Sequence, residues 1–128
     1  MNTRISYLYR DASNYKAAES VVLTGELSDD DIAVLRASIA LAAVGAGIEP
    51  DAFSPVDLGL PPAQVQLWAT VDQNEDDHIY NELLSIERTP DPVTSTKTTA
   101  ADLLVAAERA VREGYDVVRA MHVLGIDA

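Results

Sequence analysis

The chain has 128 residues, 48% of them hydrophobic, and its 21 acidic and 9 basic residues give a formal charge of −12. The length favours a single domain, and the apolar fraction is far above that of chains that stay disordered. The absence of cysteine excludes disulfides and thiolate metal sites. The negative charge argues against binding of nucleic acid or an anionic membrane through a basic patch.

The negative charge is concentrated in the middle of the chain. Residues 21–97 carry three cations and fourteen anions, whereas residues 1–20 have a net charge of +1. The N-terminus lacks the basic and apolar pattern of a signal peptide. The uncharged, alanine-rich stretch at residues 39–48 is about half a membrane span. We therefore expect a soluble cytoplasmic protein with no membrane and no nucleic acid as direct partner.

The predicted elements begin with a β-hairpin. Ile5, Tyr7 and Tyr9 alternate with polar residues, which is typical of a strand with one buried face. Residues 11–14 supply turn chemistry, because their short polar side chains can bond neighbouring backbone groups. Residues 20–24 then provide the second strand of the hairpin.

A helix is predicted over residues 28–44. Ser28 is the expected N-cap, with Asp31 at the position where a capping box places an acid. The helix carries two apolar stripes, one with Ile32, Leu35 and Ile39, the other with Val34, Leu41 and Val44. A helix that is apolar over much of its circumference is expected to be buried on two sides.

The middle of the chain is predicted to add two strands. Residues 48–63 contain four prolines and are expected to be irregular. Residues 64–71 alternate between apolar and other side chains, which predicts a third strand. Residues 80–87 are ambiguous between strand and helix, and we interpret them as a fourth strand paired antiparallel with 64–71. The acidic residues 72–77 form the solvated turn between the two.

The last third of the chain is predicted to be helical. Thr98 or Thr99 can cap a helix that runs to Glu113, and a short second helix runs from Val117 to Leu124. The predicted fold class is therefore α+β: a small antiparallel sheet of about four strands with one covering helix and a C-terminal helical pair.

These predicted elements divide the chain into three parts. Residues 1–89 are expected to form a compact α+β unit, and residues 90–99 a connector rich in proline and threonine. Residues 100–128 are the helical pair, docked on the same chain or on a second subunit. A homodimer and a monomer both stay open, since one chain of this length has limited core for all the apolar helix faces.

The most distinctive segment lies at the N-terminus and combines aromatic rings with cations. Arg and Lys side chains donate to anions, and Tyr stacks on flat rings, so this cluster is the candidate ligand-binding site. It comprises Tyr7, Tyr9, Arg10, Asn14, Tyr15 and Lys16. The alternative is a first strand whose tyrosines belong to the core, followed by a turn held by Asp11 and Asn14.

Three segments carry a resemblance to a group of small uncharacterised bacterial proteins. They are ISYLYRDASNYK, FSPVDLGLP and DHIYNELLSIERT. The N-termini of that group resemble YLYRDxxNYK, followed downstream by a GLP segment and a DHxWxEL-like segment. The chain departs from that pattern at Tyr80 and Asn81. The resemblance implies one compact unit over residues 4–89 and carries no activity.

The remaining motifs give no catalytic residue, metal or cofactor. The acidic turn begins like a calcium loop, but Asp77 and Leu83 stand where such a loop needs Gly and a bidentate Glu. His78 and Glu82 would share one face of a helix, yet two ligands do not complete a metal site, and His122 has no carboxylate four residues away. Nucleophile elbows and phosphate-binding glycine motifs are absent from the sequence.

The sequence therefore favours a non-enzymatic, acidic interaction protein. Its expected role is that of an inhibitor or regulator of another macromolecule, with a gene near mobile or defence elements as one setting. The expected partner is a protein of unidentified nature, with a basic groove as the electrostatic complement. The alternative is a module that binds a small ligand or nucleotide through the N-terminal cluster.

Overall fold

The fold is built on one four-stranded antiparallel sheet with the spatial order β2-β1-β4-β3. The computed structural model describes residues 1–126, so Asp127 and Ala128 of the predicted C-terminal unit lie outside the described residues. The strands are β1 (Asn2–Arg10), β2 (Lys16–Leu23), β3 (Ala52–Phe53) and β4 (Asn81–Thr89). The helices are α1 (Asp29–Ala46), α2 (Pro55–Leu58), α3 (Gln64–Leu67), α4 (Ala100–Glu113) and α5 (Val117–Leu124). The predicted α+β class is confirmed.

The predicted N-terminal hairpin is confirmed, and its first strand lies inside the sheet. β1 pairs with β2 on one side and with β4 on the other. Ile5, Tyr7 and Tyr9 are completely buried, while the intervening Ser6 and Leu8 are only partly covered. The period-2 alternation thus directs one face of the sheet towards the core and leaves the other at the surface.

α1 begins as predicted but is buried on one side only. Ser28 and Asp31 form the expected capping box, and Leu35 and Ile39 lie in the core. The prediction that the helix is buried on two sides is wrong, since the second stripe is exposed: Val34 is 44%, Leu41 59% and Val44 71% accessible. β3 and α4 contact α1 from the core side, and no element among residues 1–126 covers the second stripe.

The predicted strand over residues 64–71 is wrong. Residues Gln64–Leu67 form the short helix α3, and the chain continues in helical turns, with the Val71 amide donating to the Leu67 carbonyl at 2.9 Å. Two consecutive prolines, Pro61 and Pro62, precede it, and their fixed φ suits the entry to a helix. Val65 of the supposed apolar alternation is exposed.

The strand predicted at residues 80–87 is confirmed, but its predicted partner is wrong. β4 pairs with β1 and β3 rather than with 64–71. The register between β1 and β4 shifts where Ser6 faces Ser85 and Tyr7 faces Leu83. Leu84 is therefore the extra residue of a β-bulge, which turns its side chain towards solvent.

The C-terminal helices pack on the rest of the same chain. α4 starts at the predicted cap, where Thr99 and Asp102 form a second capping box, and it contacts α1 and α2. α5 buries Ala120 and Leu124 against Ile79. None of the helices described is long and apolar enough to cross a membrane.

A buried amide network joins α3 to the start of β4. The Asn81 Nδ2 donates to Gln64 Oε1 at 2.7 Å, and the Ala63 amide donates to Asn81 Oδ1 at 3.1 Å. Gln64 Nε2 donates in turn to the His78 carbonyl at 3.2 Å. Both amide side chains are buried, so each hydrogen bond avoids an unsatisfied polar group in the core.

Replacement of Asn81 by Ala is expected to destabilise the protein markedly. Asn81→Ala leaves the buried Ala63 amide and the side-chain oxygen Gln64 Oε1 without partners, which costs about 2–3 kcal/mol of unfolding free energy. The control is Gln66→Ala, an exposed amide that bonds Glu19, with an expected change within about 0.5 kcal/mol. Urea denaturation measures both, and equal effects of the two substitutions would contradict the structural role of the network.

Candidate functional site

A cleft of about 460 Å³ opens where the end of α1 approaches the start of β4. The lining combines a cation, two carboxylates, an imidazole and a tyrosine with small and apolar residues of the α1–β3 loop. It consists of Arg10, Gly47, Ile48, Glu49, Ala52, His78, Tyr80, Asn81 and Glu82. The volume lies within the range of small-molecule sites.

The imidazole of His78 is held by two backbone groups. The Tyr80 amide donates to Nδ1 at 3.1 Å, and Nε2 lies 2.8 Å from the Arg10 carbonyl oxygen. Because Nδ1 accepts a hydrogen bond, the proton is assigned to Nε2, which donates to that carbonyl. His78 therefore joins the end of β1 to the start of β4, and both of its nitrogens are occupied in this arrangement.

Arg10 is the cation of the cleft. Its Nη1 donates to Asn14 Oδ1 at 2.8 Å, and its Nε lies 3.4 Å from Glu82 Oε2. Both side chains of the ion pair are partly exposed, so the pair contributes at most about 1 kcal/mol to stability. These contacts engage two of the five guanidinium N–H groups, and the side chain lies at the cleft wall where it can meet a ligand.

The two tyrosines of the predicted cluster that belong to β1 point into the core. The Tyr7 hydroxyl donates to the Pro61 carbonyl at 2.5 Å, and the Tyr9 hydroxyl donates to Asp77 Oδ1 at 2.5 Å. Burial raises the pKa of Tyr7, and burial together with the bond to Asp77 raises the pKa of Tyr9. Both rings thus stabilise the fold and tie loops to the sheet.

The structure divides the six candidate residues among three places. Tyr7 and Tyr9 lie in the core, and Arg10 lines the cleft with Asn14 holding its guanidinium. Tyr15 is 54% exposed, and Lys16, which faces Arg10 in the register, is also exposed. The alternation of side chains along a strand causes this division, since neighbours along β1 point to opposite faces.

The cleft contains residues that sequence reasoning did not associate with the cluster. Ile48 and Glu49 follow the end of α1, and Tyr80 precedes β4. The pairing of β4 with β1 on one side and with β3 on the other brings these segments beside Arg10. Two sequence signals lay nearby, the pair His78 and Glu82 and the departure of Tyr80 and Asn81 from the resemblance, and neither indicated a shared cavity.

The same end of the sheet gathers carboxylates from separate segments. The acidic turn contacts the hairpin, where Ser13 Oγ donates to Asp76 and the Ala12 amide donates to the Asp76 carbonyl. The segments at this end carry two cations, Arg10 and Lys16, and seven acids: Asp11, Glu49, Asp51, Glu75, Asp76, Asp77 and Glu82. We call this set of nine charged residues the acidic end.

Two carboxylates of the acidic end are held by the fold, and three others face solvent. Asp11 is buried and accepts from the Tyr15 amide at 2.9 Å, while Asp77 accepts from Tyr9 and from the Asn74 amide. Glu49, Asp51 and Glu75 are exposed. The held carboxylates fix the backbone that presents the exposed ones.

In the acidic turn, side-chain oxygens that could bind a metal ion accept hydrogen bonds from backbone amides of the same turn. The Asn74 amide donates to Asp77 Oδ2, and the Asp76 amide donates to Asn74 Oδ1, both at 2.8 Å. Across residues 1–126, three or more His, Asp or Glu side chains nowhere come together closely enough to hold a metal ion. His122 is exposed on α5, remote in sequence from the cleft.

Comparisons with known proteins assign neither a family nor a function to the chain. No family model, no curated protein and no solved structure matches the chain. The resemblance carried by the N-terminal, GLP and DHxWxEL-like segments stays a prediction. The chemistry of the cleft and of the acidic end therefore has to indicate the function.

The buried tyrosines predict a loss of stability in alkali. The unfolded chain releases tyrosine protons near pH 10, whereas Tyr7 and Tyr9, with raised pKa values, keep theirs when folded. The unfolding free energy should thus be constant below about pH 9 and fall above pH 10 by about 1.4 kcal/mol per pH unit for each tyrosine.

Urea denaturation at a series of pH values measures this slope. Tyr9→Phe should lower stability at neutral pH, through the lost bond to Asp77, and should also flatten the alkaline slope. The matched control is Tyr15→Phe, whose ring is more than half exposed. A slope that Tyr9→Phe leaves unchanged would contradict the assignment of the alkaline transition to the core tyrosines.

Proposed function

We propose that this chain is a non-enzymatic interaction protein that binds a basic surface of another macromolecule and thereby inhibits or regulates it. The observation that carries the proposal is the acidic end, where contacts join the hairpin to the acidic turn and the α1–β3 loop to β4, and these four segments carry seven acids. A local excess of one sign of charge accelerates encounter with a surface of the opposite sign and fixes its orientation.

The rigidity of the acidic end supports this role. Exposed Glu75 belongs to the turn whose backbone is held by Asp77, and Asp77 is bonded to the core residue Tyr9. The Asp51 carbonyl accepts from the Leu83 amide at 2.8 Å, which fixes the α1–β3 loop against β4. Carboxylates on a pre-ordered frame lose less conformational entropy on binding than carboxylates on a flexible loop.

The state of His78 favours binding over catalysis. Histidine is the type of side chain that most often acts as a general acid or base in enzymes. The two nitrogens of His78 bond the Arg10 carbonyl and the Tyr80 amide, so its role in the structure is to join segments. The proposal retains the cytoplasmic setting and the unidentified protein partner that the sequence predicts.

Two triple variants with equal change of charge test the proposal. The first neutralises exposed residues of the acidic end by Glu49→Gln, Asp51→Asn and Glu75→Gln. The control neutralises three exposed acids of α1 and α4 by Asp30→Asn, Glu108→Gln and Glu113→Gln. The partner is captured from the source cells with the wild-type chain, and its affinity for all three chains is then measured by calorimetry.

Binding to the acidic-end variant should weaken about tenfold, at roughly 0.5 kcal/mol for each lost carboxylate, while the control changes little. Wild-type affinity should fall as salt is added, because exposed charges are screened. Equal effects of the two variants would assign binding to the net charge alone. An affinity that neither the first variant nor salt changes would contradict the proposal.

The cleft favours a second candidate function, the binding of a small ligand with an anionic group. Its volume is sufficient, and Arg10 supplies a cation beside the ring of Tyr80. Of the predicted cluster, Arg10 would take part directly in this site and Asn14 would hold its guanidinium, while Tyr7 and Tyr9 would support the site from the core. Tyr15 and Lys16 lie beside the hairpin turn, outside the lining.

Thermal shift measurements with nucleotides and small carboxylic acids test the second function. A ligand of the cleft should raise the melting temperature of the wild type, and Arg10→Ala should abolish that shift while changing the stability by at most about 1 kcal/mol. Lys16→Ala is the matched control and should retain the shift. If Arg10→Ala lowers stability and the ligand shift persists, the cluster is structural.

A further inference from the structure

The outer stripe of α1 is an apolar surface that the fold leaves uncovered. It consists of Val34, Ala37, Leu41 and Val44, all exposed. The spacing of three, four and three residues places them in one row about 15 Å long. Single exposed valines or leucines are ordinary, whereas a continuous apolar row on one helix indicates a contact surface.

The outer stripe lies in a sparsely charged part of a strongly acidic chain. Arg36 is the only charged residue between 32 and 48, although the whole chain has a net charge of −12. A basic partner would be steered to the acidic end and away from this stripe. Two copies of the chain, by contrast, can meet at the outer stripe with little repulsion, because the local charge there is small.

We propose that a second copy of this chain covers the outer stripe and forms a two-fold symmetric dimer through paired α1 helices. The stripe is one continuous apolar row, and burial against the same row of a second copy removes both rows from water. A two-fold axis needs one self-complementary patch on each subunit. Small neighbours at Ala33 and Ala40 let the two helix backbones approach closely.

The charges at the two ends of α1 favour a dimer in which the two α1 helices cross at a large angle. Asp29, Asp30 and Asp31 occupy the first turn, and Glu49 follows the last turn. Helices that cross at about 50° touch at their centres and diverge at their ends. Such a crossing brings Ala37 and Leu41 of both copies together and keeps the terminal carboxylates apart.

The dimer is expected to be reversible. One crossed helix pair buries less than the roughly 800 Å² per partner of a standard stable interface. The two acidic ends stay accessible in the dimer, so each dimer would present two binding surfaces to a basic partner. The inference itself rests on α1 and is independent of what the acidic end binds.

Sedimentation equilibrium over a range of concentrations tests the dimer. The mass of the wild type should rise from 13.8 kDa towards twice that value. Leu41→Glu and Leu41→Lys should each raise the dissociation constant at least tenfold. Lysine lowers the net negative charge, so a loss of dimer in both variants identifies the apolar contact rather than added repulsion. Val105→Glu on α4, at a site 54% exposed, is the control and should dimerise like the wild type.

Salt and a spin label provide independent measurements on proteins with an intact stripe. Added salt should strengthen the dimer, because it screens the repulsion between two negative copies, whereas it weakens binding at the acidic end. The chain has no cysteine, so Arg36→Cys, beside the stripe, accepts one nitroxide. The distance between labels in the dimer should be shorter there than for Val105→Cys.

Either of two results would overturn the inference. One is a chain that stays monomeric at every concentration and salt level. The other is a dimer that both Leu41 variants form as well as the wild type, or in which Val105 labels lie closer than Arg36 labels. Circular dichroism confirms that each variant is folded. These results leave the affinity measurements on the acidic-end variants unaffected, so the two proposals fail or succeed separately.

Discussion

The structure depends on the burial of one face of β1. Tyr7 and Tyr9 carry large rings into the core, where Tyr7 meets Phe53 at 5.4 Å between ring centroids and Tyr9 meets Trp68 at 6.2 Å. Their hydroxyls then bond the chain at Pro61 and Asp77, in two segments that have little regular structure of their own. Because apolar burial and these two bonds act on the same side chains, the sheet, the α2–α3 region and the acidic turn are ordered together.

Polar groups around the start of β4 hold the segments between the core and the surface in place through hydrogen bonds. His78 bonds the Arg10 carbonyl, and Asn81 bonds both Gln64 and the Ala63 amide. A partly satisfied network in the core would be costly, so the segments that meet here have little freedom to shift. The cleft and the acidic end lie on this rigid frame, and the bulge at Leu84 marks where β4 changes register to reach it.

The two surfaces proposed for binding are expected to respond oppositely to salt. In the proposals made above, the acidic end attracts a basic partner through its charge, whereas the outer stripe of α1 carries little charge. Screening weakens the first kind of contact and relieves the repulsion that opposes the second. Heterologous binding and self-association are therefore compatible on one small chain, because they use different surfaces and different forces.

The sequence by itself determined the elements that depend on neighbouring residues. The hairpin, the capping boxes at Ser28 and Thr99, and the bounds of α4 and α5 follow from side-chain periodicity and from hydrogen bonds that span three or four positions. Candidate residues such as Arg10 were recognised by type, but the alternation along β1 placed its neighbours Tyr7 and Tyr9 in the core.

Only the tertiary structure decided the helix at α3, the partner strands of β4, the lining of the cleft and the exposure of the outer stripe. Each depends on contacts between segments distant in sequence. Periodicity shows that a face is apolar or that a turn is acidic. It does not show which element covers the face, or which other acids lie beside the turn, because packing between distant segments sets both.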